Sequence, residues 1–299
     1  MSFKYINPGL PKLWGLSCGW KNSNTYNPIN GFAFSESSSF SPLMTLPSDI
    51  NEVWIKVGIY PYNAKLYKDY PVYVCIGSGS NKQGIALDNQ QFMIMANNTR
   101  WVNKSVNMFP EVYYNALIHA VQGDNGYVEC FINGKRIGIY NGNVSFGDNT
   151  VYAVTYSSYN TIYISNIIIS DTEVKPTEEV YLLTAKTTTT DMVQTSESNN
   201  PQVFTADTAG QTIIQTIDTD ALATKIGTNN IKVTGIGLGS HPIYYAGESL
   251  SHVGIMVNDI EEEVQEITTG TNDGLCWSRV ADYNFNDLKT LKLGFKAKE

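Results

Sequence analysis

The chain has 299 residues, of which 16% are charged, and its formal net charge is −8. This length suits two domains that each bury a core of their own. The acidic balance argues against a binder of duplex nucleic acid, because phosphate neutralisation requires clustered Lys and Arg. A weakly charged chain rich in Tyr, Asn, Ser, Thr and Gly is typical of extracellular and virion β-proteins.

Targeting signals are not evident in the sequence. The first residues lack a basic stretch followed by an apolar one, and no run approaches the ~18 apolar residues of a membrane helix. We therefore expect no signal peptide and no insertion into a membrane. Synthesis and folding are expected in the same cytoplasm.

The chain up to about residue 170 consists of short apolar-alternating segments separated by Gly, Asn, Pro and Ser clusters. No segment there shows a sustained helical period, so the pattern predicts an antiparallel sandwich or jelly roll. The predicted strands are residues 31–37, 52–60, 70–77, 83–88, 91–97, 116–123, 127–132, 135–140, 150–157 and 161–170.

The segment YVECFINGKRIGIY contains the strongest hairpin signal. Asn133-Gly134 predicts a type I′ turn, because both central residues of that turn need a positive φ. A two-residue loop fixes the register, so we expect Ile132 opposite Lys135 and Cys130 opposite Ile137. One face of this hairpin is apolar and is expected to lie on the core.

An acidic segment that contains Pro176 follows, and we predict a linker at residues 172–180 between a first domain (1–171) and a second domain (181–299). The Thr- and Ser-rich stretch after it is expected to be partly extended or to exchange strands. Beyond residue 203 the pattern again predicts strands, with one short helix at residues 219–227. The second domain is thus predicted to be smaller and β-rich, serving oligomerisation or attachment.

The four cysteines, Cys18, Cys75, Cys130 and Cys276, lack Cys-x-x-Cys spacing and neighbouring His residues, so no structural zinc site is expected. Cys75 and Cys130 lie in alternating apolar runs and are interpreted as buried free thiols, with a disulfide as the open alternative. No cofactor is predicted, and calcium binding stays open.

The order of turns in the first domain resembles the concanavalin A-like and laminin-G-like jelly rolls. Residues 118–121 (IHAV) precede a Gly123–Gly126 turn, residues 133–135 (NGK) form the next turn, and YISNIIISD at residues 163–171 is similar to the closing strand of that family. The resemblance covers roughly the first 170 residues. It implies a lectin-like jelly roll.

The second domain and the overall composition resemble tail or fibre proteins of bacteriophages, in which a lectin-like jelly roll is often joined to an assembly module. This resemblance implies a virion protein made in the bacterial cytoplasm. It also implies contacts with other virion proteins and a homo-oligomer, with a trimer as one form.

Catalytic signatures are weak. Glycosidases of the jelly-roll class need two carboxylates close together, and the first domain has no such alternating stretch. The acidic residues 258–266 are better explained as a solvated loop or edge strand. His119 is expected to be a hydrogen-bonded structural residue, and no nucleophile motif accompanies it. We therefore predict that the protein is not an enzyme.

Sugar binding needs aromatic rings that stack on C–H faces, together with directional polar side chains. Two loop-like stretches, residues 60–71 and 96–105, have that mixture. The candidate carbohydrate-binding residues are Trp101, Arg100, Asn97, Asn98, Tyr67, Asp69, Tyr70 and Tyr159.

The sequence therefore predicts a non-enzymatic virion protein whose lectin-like domain binds a host-surface glycan. A virion that carries many copies would bind the host surface more tightly than the weak affinity of each single site allows. Two alternatives remain open. One is a purely structural decoration or connector protein, and the other is a glycan-degrading depolymerase whose carboxylates converge from distant strands.

Overall fold

The computed structural model describes residues 2–7, 18–22, 25, 27–30, 32–36, 41–62, 72–88, 90–154, 161–183, 185–195, 203–228, 230–239, 250–267 and 276–299. The chain divides into two compact units, Met1–Tyr181 and Leu182–Glu299. Antiparallel strands dominate both units, which confirms the predicted all-β fold class.

The first unit contains fourteen strands among the described residues. They are β1 (Lys4–Asn7), β2 (Cys18–Asn22), β3 (Phe32–Glu36), β4 (Ser41–Thr45), β5 (Glu52–Pro61), β6 (Val72–Ile76), β7 (Gln83–Asp88), β8 (Gln91–Ala96), β9 (Thr99–Asn107), β10 (Tyr114–Val121), β11 (Gly123–Ile132), β12 (Lys135–Val144), β13 (Thr150–Val154) and β14 (Ile162–Ser170). An eight-stranded sheet has the order β12-β11-β10-β5-β14-β3-β2, with β1 also paired to β14. A six-stranded sheet has the order β4-β13-β6-β7-β8-β9.

The core of the first unit lies between these two sheets. Ile55 and Ile118 of the larger sheet and Ile85 and Ile94 of the smaller sheet are almost completely buried. The thiol of Cys130 donates to the Gly84 carbonyl across the gap, at 3.3 Å. Alternating β-branched residues give each strand one apolar face, and the two apolar faces pack together. The structure therefore confirms an antiparallel sandwich in the first part of the chain.

The predicted hairpin forms between β11 and β12, but its register changes along its length. Ile132 lies opposite Lys135, as predicted. Past the pair formed by Phe131 a β-bulge shifts the ladder, so that Cys130 lies opposite Gly138 instead of Ile137. An extra residue moves later side chains to the other face of a strand. Tyr140 consequently lies opposite Val128.

Residues 172–181, which we call the strap, pack against the outer face of the eight-stranded sheet. Val174 and Val180 are buried in a cluster with Leu117 and Ile168. This segment includes the predicted linker, and its apolar residues cover part of the sheet. The first unit accordingly extends to Tyr181.

Carboxylates of the strap meet lysines of the sheet. The ammonium group of Lys4 lies 2.6 Å from Glu178 Oε2, and that of Lys56 lies 3.1 Å from Glu179 Oε1. The side chain of Lys56 is 1% exposed. A buried ammonium group needs such partners, because transfer from water costs several kcal/mol.

The second unit contains nine strands and two helices among the described residues. They are β15 (Ala185–Thr190), β16 (Val193–Thr195), β17 (Val203–Thr205), β18 (Thr212–Ile217), α1 (Thr219–Ile226), β19 (Lys232–Gly239), β20 (His252–Val257), β21 (Ile260–Glu266), β22 (Cys276–Asn284), α2 (Phe285–Leu288) and β23 (Lys292–Lys298). A five-stranded sheet has the order β15-β18-β23-β20-β21, and β16-β17 and β19-β22 form two-stranded ribbons. Helix α1 agrees with the predicted short helix, and Asp218 caps its first turn.

Candidate functional site

The stretch around Trp101, which the sequence suggested to be a loop, is a β-hairpin. Strands β8 and β9 are joined by Asn97 and Asn98, whose φ angles are 49° and 58°. Asn tolerates the left-handed region better than most residues, so two successive Asn residues allow a tight type I′ turn. The turn places Trp101 on the edge strand β9 of the six-stranded sheet.

Trp101 and Tyr140 together form an aromatic platform at the open edge between the two sheets. Trp101 pairs with the core residue Ile94, so its side chain lies on the inner face of its sheet. It is nevertheless 42% exposed, because β9 is the last strand of that sheet among the described residues. Its ring lies 5.4 Å from the ring of Tyr140, at an interplanar angle of 44°. Tyr140 belongs to β12, the edge strand of the opposite sheet.

Asn97 holds the turn and the platform in place. Its side-chain amide donates to the Tyr140 hydroxyl at 3.3 Å and to the Asn143 carbonyl at 3.0 Å. Its backbone N–H donates to Gln83 Oε1 at 3.0 Å, and Gln83 Nε2 donates to Asn97 Oδ1 at 2.9 Å. Gln83 is completely buried and also donates to the Ser145 carbonyl. A hydrogen-bonded network anchored on a buried side chain such as Gln83 holds its members in one arrangement.

Arg100 lies on the opposite face of β9 from Trp101. It pairs with Met95 rather than with Ile94, because successive side chains of a strand alternate between faces. Its guanidinium group contacts Asp88, a residue 3% exposed. The structure thus brings Asn97 to the Trp101 platform and directs Arg100 away from it. Asn98 is exposed at the turn, and its backbone N–H donates to the Lys82 carbonyl.

The other candidates from the sequence lie outside the described residues. These are Tyr67, Asp69, Tyr70 and Tyr159. The structure adds Tyr140 and Gln83, which sequence reasoning did not select. Tyr140 lies beside Trp101 because the bulge in β12 shifts the ladder and brings its side chain to the inner face of the sheet.

The outer face of the six-stranded sheet carries a second group of polar and aromatic residues. Tyr73 and Tyr152 lie over a buried layer of Cys75, Ala86 and Met95. The ammonium group of Lys82 donates to the Tyr73 hydroxyl at 3.0 Å. These side chains form a polar layer above the buried apolar residues.

Asp148 accepts a hydrogen bond from the Tyr152 hydroxyl at 2.7 Å, beside this outer face. Partial burial tends to raise the pKa of Asp148, but hydrogen bonds from Tyr152, Ser78 and Thr150 outweigh it and hold the pKa below its usual value. Desolvation raises the pKa of Tyr152, and the hydrogen bond to Asp148 adds to this effect. The pair is therefore an ionised carboxylate and a neutral phenol near neutral pH.

His119 is part of a packed cluster on the outer face of the eight-stranded sheet. Its ring stacks on Trp54 with centroids 3.6 Å apart. Nδ1 lies 3.0 Å from Glu129 Oε1, and Nε2 lies 2.8 Å from Glu52 Oε1. His119 is 5% exposed. This environment agrees with the structural, hydrogen-bonded histidine expected from the sequence.

Cys75 and Cys130 are free thiols and both are buried. Burial raises the pKa of Cys75 to about 12 and raises the pKa of Cys130 as well. A thiol is nucleophilic only as its thiolate, so both side chains are chemically inert in the folded protein. This confirms the interpretation of the pair as buried free thiols.

The described residues contain neither a candidate metal-binding cluster nor a candidate membrane-spanning helix. No group of three or more His, Cys, Asp or Glu side chains is arranged there to hold a metal ion. Within the same ranges, no helix has both the length and the apolar character needed to cross a bilayer.

Comparisons with known proteins show the fold only. No family model and no curated protein matches this sequence. A similar solved structure is the endo-beta-1,4-glucuronan lyase from the fungus Trichoderma reesei, with 10% identity, a TM-score of 0.44 and coverage of 58% of this chain and 98% of that chain. Another is domain 4 of an extracellular arabinanase from Geobacillus stearothermophilus, solved with arabinotriose, with 14% identity, a TM-score of 0.36 and coverage of 58% and 84%.

A galectin from Caenorhabditis elegans is also similar, with 7% identity, a TM-score of 0.31 and coverage of 48% of this chain and 91% of that chain. At these identities and TM-scores the likeness carries no argument about function. It is a likeness of β-sandwich architecture.

Proposed function

We propose that this protein is a non-enzymatic glycan-binding protein and that the platform of Trp101 and Tyr140 is its binding site. The observation that carries this proposal is the 42% exposure of Trp101 beside the ring of Tyr140. A Trp side chain serving only the core would be covered. Here an edge strand presents it to solvent while a hydrogen-bonded network holds its surroundings.

The chemistry of the platform suits a sugar. Aromatic rings attract the C–H face of a pyranose, and neighbouring amides supply directional hydrogen bonds. The Asn97 amide lies 3.3 Å from the Tyr140 hydroxyl, and Asn98 is exposed in the same turn. Two tilted rings with amides around them fit a ligand that has one apolar face and a polar edge.

Virion location and host adhesion are part of the same proposal. Their support is the weakly charged composition, the lectin-like turn order and the β-rich second unit. A shallow platform with two rings favours modest affinity at each site, and several copies on one particle would raise the overall affinity without new contacts.

The test is binding of the full chain and of a Trp101→Ala variant to a glycan array and to bacterial cell-wall polysaccharide. We expect saturable binding that falls about tenfold or more in Trp101→Ala, since loss of a stacked aromatic contact costs on the order of 1–3 kcal/mol. Phe109→Ala is the matched control, because Phe109 is 62% exposed in the same unit. It should bind as the wild type does.

Other outcomes would point to the alternatives. Equal binding by Trp101→Ala and the wild type would remove the platform from the site. Release of reducing ends from the polysaccharide would make the protein a depolymerase. Absence of binding on a multivalent carrier, together with an assembly defect in Trp101→Ala, would favour a structural virion role.

A further inference from the structure

The two edge strands of the five-stranded sheet in the second unit differ in charge. Strand β21 has the sequence IEEEVQE and carries four carboxylates. Strand β15 has the sequence AKTTTT and carries one charged side chain, Lys186. Natural proteins protect exposed edges with charge, because an edge strand is a template for pairing with another strand. One edge is therefore protected and the other is not.

The outer edge of β15 offers backbone hydrogen-bonding groups. Asp191 donates its backbone N–H to the Thr212 carbonyl at 3.3 Å, next to the regular pairing of β15 with β18. Because an antiparallel ladder alternates, the backbone of Thr189 points toward β18 and that of Thr188 points away from the sheet. Among the strands that the structure describes, none pairs with this outer edge.

The side chains of β15 favour pairing with another strand. Thr has high β-propensity, and residues 185–189 are exposed. The ammonium group of Lys186 is engaged by Asp220 at 2.9 Å, so its charge is balanced within the unit. Val193, which follows β15 in the sequence, is 51% exposed.

We propose that β15 pairs with β15 of a second copy of this chain, antiparallel, about a two-fold axis at Thr188. In that register Thr188 lies opposite Thr188 of the second copy, and Lys186 lies opposite Thr190. No like charges face each other. The same operation on β21 places Glu263 opposite Glu263 among the remaining carboxylates, which is destabilising. The pairing joins two five-stranded sheets into one continuous sheet in a closed dimer.

The dimer differs from the trimer that the phage resemblance implied, because an antiparallel pair of identical strands closes with two copies. If Trp101 and Tyr140 form the glycan-binding site, each dimer carries two such sites. That consequence rests on the proposed function, whereas the pairing of β15 does not.

The experiment measures the mass of the full chain in solution by light scattering over a dilution series. The wild type is expected at twice the chain mass of 33.1 kDa. Thr188→Lys and Thr188→Glu place like charges opposite each other and are each expected at the mass of one chain. Mixing these two variants should restore the dimer as a heterodimer, because the opposed charges then attract.

Val264→Lys is the matched control, since Val264 is exposed on the other edge strand, β21. It should remain dimeric. A wild type that is monomeric throughout the series overturns the proposal, and so does dimerisation that Thr188→Lys leaves intact. Circular dichroism of each variant separates a lost interface from a lost fold, and recovery in the mixture excludes misfolding as the cause.

Discussion

Lys56 and Glu179 show how a single residue pair fixes the strap. Lys56 is almost completely buried on the outer face of the eight-stranded sheet, and its ammonium group also donates to the Glu178 carbonyl. Glu179 Oε2 is buried without a hydrogen-bond partner among the described residues. The pair is therefore only partly satisfied, and each group depends on the other for its compensation.

Lys56→Met should destabilise the protein by about 3–5 kcal/mol, because it leaves the Glu179 carboxylate buried and uncompensated. The control is Lys232→Met, since the Lys232–Asp282 pair is largely exposed. We expect the control to change stability by less than about 0.5 kcal/mol. The measurement is unfolding in urea. Equal effects of the two substitutions would show that the buried pair does not hold the strap.

The same pair predicts a pH dependence. Desolvation raises the pKa of Glu179 despite Lys56, and desolvation lowers the pKa of Lys56 despite Glu179. A carboxyl with a raised folded pKa contributes stability that is full below its unfolded value of 4.5 and is lost as pH rises through the folded pKa. An amine with a lowered folded pKa contributes stability that is full above 10.5 and is lost as pH falls.

Near neutral pH, the unfolding free energy of the wild type is thus expected to be at its lowest relative to that of the Lys56→Met/Glu179→Leu double variant. The difference in unfolding free energy between the two proteins should narrow toward about pH 4 and toward about pH 10. The difference between the two unfolding free energies removes the pH dependence of the ionisable groups that both proteins share. A difference that is constant with pH would contradict this account.

Sequence reasoning at the residue scale found Trp101 but not its partner. Exposed aromatic residues with nearby amides are visible in one stretch of sequence. Tyr140 lies far along the chain and meets Trp101 only because two edge strands from different sheets come together. Arg100 was selected with Trp101 as a neighbour in sequence, but strand alternation sends it to the other face.

Turns and bulges decide the structure at the element scale. The Asn133-Gly134 signal gave the correct turn and the correct pairs beside it. The bulge beyond those pairs has no comparably strong local signature. It keeps Ile137 buried and moves Tyr140 to the inner face. The register of a hairpin could therefore be predicted close to its turn but not along its whole length.

The turn between β6 and β7 contains two glycines whose replacement should lower stability for different reasons. Gly77 and Gly79 have φ angles of 85° and 58°. A Cβ at Gly77 would lie 2.3 Å from the Asn81 carbonyl oxygen, whereas a Cβ at Gly79 meets nothing within 4 Å. Gly79→Ala should cost about 1–2 kcal/mol from backbone strain alone.

Gly77→Ala should cost more than Gly79→Ala, because the clash with backbone adds to the strain. We expect the excess to be on the order of 1–3 kcal/mol. Thermal unfolding of both variants tests this, and each serves as the control for the other. Similar losses of stability would mean that the turn relaxes around the added methyl group.

At the scale of the whole molecule, the sequence predicted two β-rich parts and a boundary near residue 171. Acidic residues with a proline suggested a linker, and that composition is typical of solvated segments. Val174 and Val180 are too widely spaced to form a periodic pattern, so their burial depends on the sheet beneath them. Only the tertiary structure shows that the strap packs against the sheet.

Two fragments test the extent of the first unit. Residues 1–183 should unfold cooperatively, because they retain the strap. Residues 1–171 should be markedly less stable, since Leu117 and Ile168 lose their apolar cover and Lys56 loses its carboxylate. Urea unfolding of both fragments provides the comparison. Equal stability would place the strap outside the cooperative unit.

The buried thiols of Cys75 and Cys130 can report local opening of the first unit. One belongs to the six-stranded sheet and the other to the eight-stranded sheet. Since neither reacts while it is covered, the rate at which an alkylating reagent labels each thiol measures how often that sheet opens. Peptide-resolved labelling would therefore rank the opening free energies of the two sheets without any engineered label. A bound glycan that contacts the edges of both sheets should lower the labelling rates of both thiols.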